Sequence, residues 1–155
     1  MMGETTMEHL KIGLATDHGA YEHKEALKEH LLAQGYDVVD FGCFDSSSVD
    51  YPDTVYPCAL AVSNQEVDAG IVFCGTGIGA SIVANKVKGI RCALIHNPWM
   101  AQVTKEHNDA NVIAMGGRIM DIPLVLECAD VWLKTSFSHE ARHQQRINKI
   151  AALED

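Results

Sequence analysis

Short, β-branched apolar runs alternate along the chain with longer segments in which apolar side chains recur at helical spacing. The runs at 11–15, 37–41, 69–74, 91–95 and 112–115 predict strands, and the stretches between them predict helices near 21–34, 54–64, 78–87 and 98–107. Two further helical patterns, 122–133 and 139–153, follow the last strand. Strands that read as continuous apolar runs are those buried on both faces, and a crossover helix between successive strands implies parallel pairing. The expected fold is therefore α/β: a three-layer α/β/α sandwich, Rossmann-like, around a five-stranded parallel sheet. No linker, repeat or low-complexity stretch interrupts 10–155, which predicts a single domain, and the polar residues 1–9 are expected to be a disordered extension ahead of it. In such sheets ligands bind outside the carboxyl ends of the strands.

The run at 69–74 makes the strongest chemical statement, because it closes on Cys74 and opens directly into Gly75-Thr76-Gly77-Ile78-Gly79. Glycines in a strand-to-helix turn let backbone N–H groups approach a ligand, and a helix N-terminus favours negative charge there. The same field is expected to favour the Cys74 thiolate, a base or nucleophile beside an anion-binding loop. Asp17 and His18 end the first strand and bring a carboxylate and an imidazole to the same edge, although Asp17 could equally serve as a helix cap. His107 and Asn108 close the fourth helix, a place where a histidine is also favoured for its charge alone. Arg118 follows the fifth strand. Arg142 and Arg146 share one face of the last helix, spaced either to grip a phosphate or to lie in solvent.

Charge and cysteine usage narrow the partners. A net charge of −9 offers no basic excess for nucleic acid or an anionic membrane surface, although a local Arg and His cluster could still hold a small phosphorylated substrate. No apolar run approaches the roughly 18 residues of a membrane span. Cys43, Cys58, Cys74, Cys92 and Cys128 are an odd set with no C-x-x-C pair and no secretory leader, a pattern of reduced thiols in a cytoplasmic protein. Cys58, Cys92 and Cys128 sit in apolar patterns and read as core, whereas Cys43 falls in a loop that could be exposed. Two motifs point elsewhere. Gly75-x-Gly77-x-x-Ala80 matches a dinucleotide fingerprint, but it is not in the first βα turn and the next strand closes on Ile95-His96-Asn97 rather than an acid. His139-Glu-Ala-Arg-His143 matches a zinc signature, but the arginine inside it disfavours a bound cation.

Taken together, Thr16-Asp-His-Gly19, Asp50-Tyr-Pro52, Cys74-Gly-Thr-Gly-Ile-Gly79, Ala84-Asn-Lys86, His107-Asn-Asp-Ala-Asn-Val112, Gly116-Gly-Arg118 and Arg142-His-Gln-Gln-Arg146 resemble the type B ribose-5-phosphate isomerases. Galactose-6-phosphate and allose-6-phosphate isomerases share that family. The resemblance implies an aldose–ketose isomerase without metal or organic cofactor, interconverting ribose 5-phosphate and ribulose 5-phosphate. It implies Cys74 as the base, with Thr76 and the backbone of Gly75, Gly77 and Gly79 holding the enediolate oxygen. His107, with Asp17, would open the sugar ring, Asn108 and Tyr51 would contact the sugar, and His18, Arg118, Arg142 and Arg146 would take the phosphate. One branch of the family uses a glutamate base within the glycine loop; Ala80 stands at that place here. Family members work as dimers or paired dimers with sites shared between chains, so the His107 loop and the arginine-bearing last helix would complete a neighbour's site. The variant first turn and Trp99 leave room for another sugar phosphate, a galactose, allose or tetrose phosphate, and a non-catalytic sugar-phosphate-binding module is the competing class.

Overall fold

The computed structural model describes residues 10–154; the N-terminal extension expected at 1–9 lies outside them. Five strands form one parallel sheet, β1 (Lys11–Ala15), β2 (Asp37–Asp40), β3 (Ala69–Cys74), β4 (Cys92–Leu94) and β5 (Val112–Gly116), in the order β2-β1-β3-β5-β4. Their crossovers are α1 (Tyr21–Ala33), α2 (Tyr51–Ser63), α3 (Ile78–Ala84) and α4 (Pro98–Asn108), followed by α5 (Ile122–Lys134) and α6 (Ala141–Ala152). Among the described residues no helix is long and apolar enough to cross a membrane.

The central strand explains the layering. Every residue of β3 is buried, and its side chains alternate between two cores: Ile71 and Phe73 pack with Leu27, Leu31 and Trp132, while Val72 and Cys74 pack with Val55, Cys58 and Ala84. Helices therefore cover both faces, as a sheet apolar on both sides requires. Cys74 lies on the side of α2 and α3.

Helix α3 ends at Ala84, three residues short of the expectation, and β2 at Asp40, one short; three other boundaries differ for local reasons. Helix α2 starts at Tyr51 rather than 54, because extended Asp50 precedes it and Pro52 fits the first helical turn, where its missing N–H costs nothing. Strand β4 is short, and the Asn85 side chain donates to the Cys92 carbonyl at 3.0 Å and accepts from the Cys92 N–H at 2.8 Å, closing the backbone that an edge strand leaves open. Helix α6 starts at Ala141 because His139 has φ 60°, a left-handed conformation no helix can include. Hence His139 and His143 do not share a helix face, and the zinc-like spacing has no geometric counterpart.

Cys43 also departs from expectation. It is buried, and burial pushes its thiol pKa up, with Lys24 nearby acting in the opposite direction. The cause is Lys24 itself, fully buried in α1, whose ammonium donates to both Asp40 carboxylate oxygens at 2.8 and 2.7 Å and to the Cys43 carbonyl at 2.7 Å. That network ties the loop after β2 to the sheet. The same loop sends the Val49 N–H to His18 Nδ1 at 3.2 Å.

Candidate active site

The carboxyl edge of the sheet gathers one group of the expected residues. The Cys74 side chain is 5% exposed and its sulfur accepts the Gly77 N–H at 3.2 Å. That bond requires the turn to fold back on itself, which Gly77 permits with φ 80°; a Cβ there would also fall 2.8 Å from Leu94 and 2.9 Å from the Met115 carbonyl carbon. Thr76 Oγ1 accepts from the Ile78 N–H at 3.2 Å, fixing its hydroxyl at the mouth of the turn.

Neighbouring elements wall this turn closely. The Tyr51 phenol lies so near Gly79 that a Cβ there would stand 2.6 Å from the hydroxyl oxygen. The Arg118 guanidinium lies over Gly75, where a Cβ would meet it at 3.1 Å, and the Arg118 N–H donates to the Gly75 carbonyl at 2.8 Å. On the other side, Gly19 approaches Gly75. Asp17, almost fully buried, accepts the Gly19 N–H at 2.8 Å, so the capping role is present in the fold. His18 is exposed, and because its Nδ1 accepts from the Val49 N–H the neutral ring carries its hydrogen on Nε2.

The second group lies elsewhere in the same chain. Helix α4 leaves the carboxyl end of β4 and returns to the amino end of β5, so His107 and Asn108 stand at the opposite edge of the sheet from Cys74 and Asp17. There Arg91 donates to the Asn108 carbonyl at 2.9 Å and to the Asp109 carbonyl at 2.8 Å, and Thr104 Oγ1 donates to Asn108 Oδ1 at 3.1 Å. These bonds hold the end of α4, where Asp109 takes a left-handed conformation. The His107 ring packs on His143 of α6, with centroids 4.3 Å apart. Arg142 and Arg146 are exposed on α6, and Arg142 Nε donates to Glu140 at 2.8 Å, which holds the Glu140 carboxyl below its ordinary pKa. Ser138, His143 and Arg91, which support the end of α4, are not among the site residues expected from the sequence; of the three, only His143 had a signal there, within the zinc-like motif and within Arg142-His-Gln-Gln-Arg146.

Both groups of residues lie within a stretch that matches one family. The chain matches the Ribose/Galactose Isomerase family over residues 12–150. It is a member of that family. Ribose-5-phosphate isomerase B of Escherichia coli is 42% identical over 93% of this chain and 96% of its own length. The galactose-6-phosphate isomerase subunit LacB of Clostridium acetobutylicum is 39% identical over 92% of this chain and 82% of its own. The solved structure of Clostridium thermocellum ribose-5-phosphate isomerase B superposes with a TM-score of 0.91 at 48% identity, covering 94% of this chain and 97% of that one. The family match spans both edges of the sheet, from β1 into α6.

Proposed function

We propose that this family member is an aldose–ketose isomerase that interconverts ribose 5-phosphate and ribulose 5-phosphate at a site made by two copies of the chain. The observation that carries the reading is Cys74, a thiol at a strand end inside a glycine turn, with its sulfur already accepting a backbone N–H. Moving hydrogen between C1 and C2 needs a base next to a carbonyl. Cys74 as thiolate takes the C2 proton of the open-chain aldose, giving an enediolate, and the resulting thiol returns a proton at C1 while the C2 hydroxyl hydrogen passes to O1. The enediolate oxygen is matched by donors already fixed in the turn, the Thr76 hydroxyl and the N–H groups of Gly75 to Gly79. Tyr51 stacks the sugar, and His18 with Arg118 receives the phosphate.

The ring-opening acid and base are supported from a second copy. His107 and Asn108 of one chain cannot reach Cys74 of the same chain, since the sheet separates them. A two-fold pairing that sets the amino edge of one copy against the carboxyl edge of the other brings His107, Asn108, Arg142 and Arg146 to the partner's Cys74 and Asp17. The active protein in this reading is a homodimer or a pair of dimers, and its five free thiols suit the reducing cytoplasm. The LacB match favours one second reading, the same chemistry on galactose 6-phosphate.

Steady-state turnover of ribose 5-phosphate and galactose 6-phosphate, each with EDTA present, tests both. Pentose turnover that survives EDTA and falls by about 10³-fold in Cys74→Ala supports the reading. Preference for the hexose transfers the chemistry to the second substrate, and turnover of neither sugar removes it.

A further inference from the structure

We propose that His143 is a positioning residue for sugar-ring opening, acting through the His107 imidazole. The inference rests on the isomerase reading above and adds a member to its machinery.

His143 is 2% exposed, and its ring lies against the His107 ring with centroids 4.3 Å apart and planes tilted by 32°. Its other contacts hold it rigidly. Ser138 Oγ lies 2.7 Å from His143 Nδ1 and accepts the Glu140 N–H at 3.1 Å, while the Ser138 N–H donates to the Glu106 carbonyl at 3.1 Å. The hydroxyl keeps a second lone pair besides the one taken by Glu140, so Ser138 Oγ and His143 Nδ1 bond in either tautomer of the ring. Among the described residues, His143 Nε2 is buried and has no hydrogen-bond partner. A buried polar atom without a partner costs stability, so hydrogen bonding alone does not account for an imidazole at this place.

What the ring does offer is a flat wall behind His107. His107 is half-buried at the last turn of α4, with one face covered by His143 and the helix end held by Arg91. An acid/base group works only when its nitrogen stands within hydrogen-bond reach of the sugar oxygen, and small misplacements cost large factors. His143 fixes the plane of that ring, and Ser138 fixes His143. The wall is also uncharged near neutrality. Burial lowers the His143 pKa, and Arg142, His107 and Arg146 push the same way, against Glu140 alone. His107 can then take up and release a proton without a fixed cation against its face.

Ribulose 5-phosphate offers a clean control, because its C5 oxygen carries the phosphate and no five-membered ring can close on C2. Ring opening is needed from the ribose side only. In His143→Ala we expect kcat for ribose 5-phosphate to fall about tenfold, with KM falling in parallel because closed sugar occupies the site without reacting. Turnover of ribulose 5-phosphate should stay within about twofold. His143→Phe keeps a flat ring against His107 and should recover most of the loss, while Ser138→Ala should show a weaker form of the same split. Equal loss in both directions, unchanged ribose turnover, or a Phe variant no better than Ala overturns the inference. Should His143→Ala fail to assemble by gel filtration, Ser138→Ala decides between the same outcomes. Wild-type protein inert toward both pentoses would instead remove the isomerase reading, and this inference with it.

Discussion

At the carboxyl edge of the sheet the chemistry is held by backbone: Cys74 takes a main-chain N–H, and Tyr51 and Arg118 press on glycines. At the amino edge it is held by side chains: Arg91, Thr104, Ser138 and His143 brace the end of α4, and the arginines of α6 face solvent. The first edge is complete within one chain and closely packed. The second is scaffolded from behind and open in front, the form expected of a group offered to another molecule. In the proposed reading this division of labour is why a single chain holds Cys74 but is not expected to turn over.

The largest effect that could break this comparison comes from mixing inactive variants. Cys74→Ala lacks the proposed base and His107→Ala the proposed ring-opening group, so each homodimer should be nearly inert. Random exchange makes half the dimers mixed, and each mixed dimer holds one intact site and one doubly defective site. Activity should return to about a quarter of wild type after refolding the two together. No recovery would place both groups in one chain's site and contradict the separation across the sheet.

How much of this division was legible in the sequence depends on the range of the interactions that make it. The glycine turn after β3 was readable because it is local, an apolar run that closes on Cys74 and opens into glycines, whereas the left-handed conformation of Gly77 is seen only in the fold. Topology was readable too, since a parallel sheet obliges α4 to end at the amino edge, which agrees with the expectation that the His107 loop completes a neighbour's site. The braces were not readable, because Ser138 and His143 reach Glu106 and His107 only when α6 and the segment leading into it fold onto α4. Lys24 is the plainest case: within α1 it looks like a surface lysine, and only Asp40 and Cys43, brought by β2 and its loop, make it internal. Tyr51-Pro52-Asp53 read as loop because proline signals a turn as readily as a first helical turn.

That buried pair gives the next effect in size, and it should separate the edges by stability rather than activity. Asp40 is held below its ordinary carboxylate pKa: burial raises it, but the bonds from Lys24 and the Gly42 N–H lower it further. A depressed pKa contributes stability that is present above the unfolded value, 3.8, and is lost as pH falls through the folded one. Wild-type stability in urea should therefore drop as pH is taken below about 4, in part through Asp40. Asp40→Asn should lose about 3 kcal/mol at pH 7, because Lys24 stays buried with half-exposed Glu25 as its remaining acidic partner, and should show a flatter acid limb. An unchanged urea midpoint at pH 7 would mean that the loop carrying Val49, and through it His18, is held by something else.

The smallest expected effect lies at the open end of the comparison. Arg142 is an exposed cation, 59% accessible, whose contact with Glu140 is a surface ion pair, and such pairs contribute little to stability. If its purpose is to meet a phosphate across the dimer, Arg142→Gln should leave the urea midpoint unchanged and raise KM for ribose 5-phosphate by about tenfold, one charge-assisted bond's worth of affinity. Salt sharpens the test. The KM of wild type should rise with ionic strength more steeply than that of Arg142→Gln, because the variant has already lost one screened attraction. A variant whose KM and salt slope both match wild type would leave Arg142 as an ordinary solvated side chain, and would shift the phosphate wholly onto His18 and Arg118 at the closed edge.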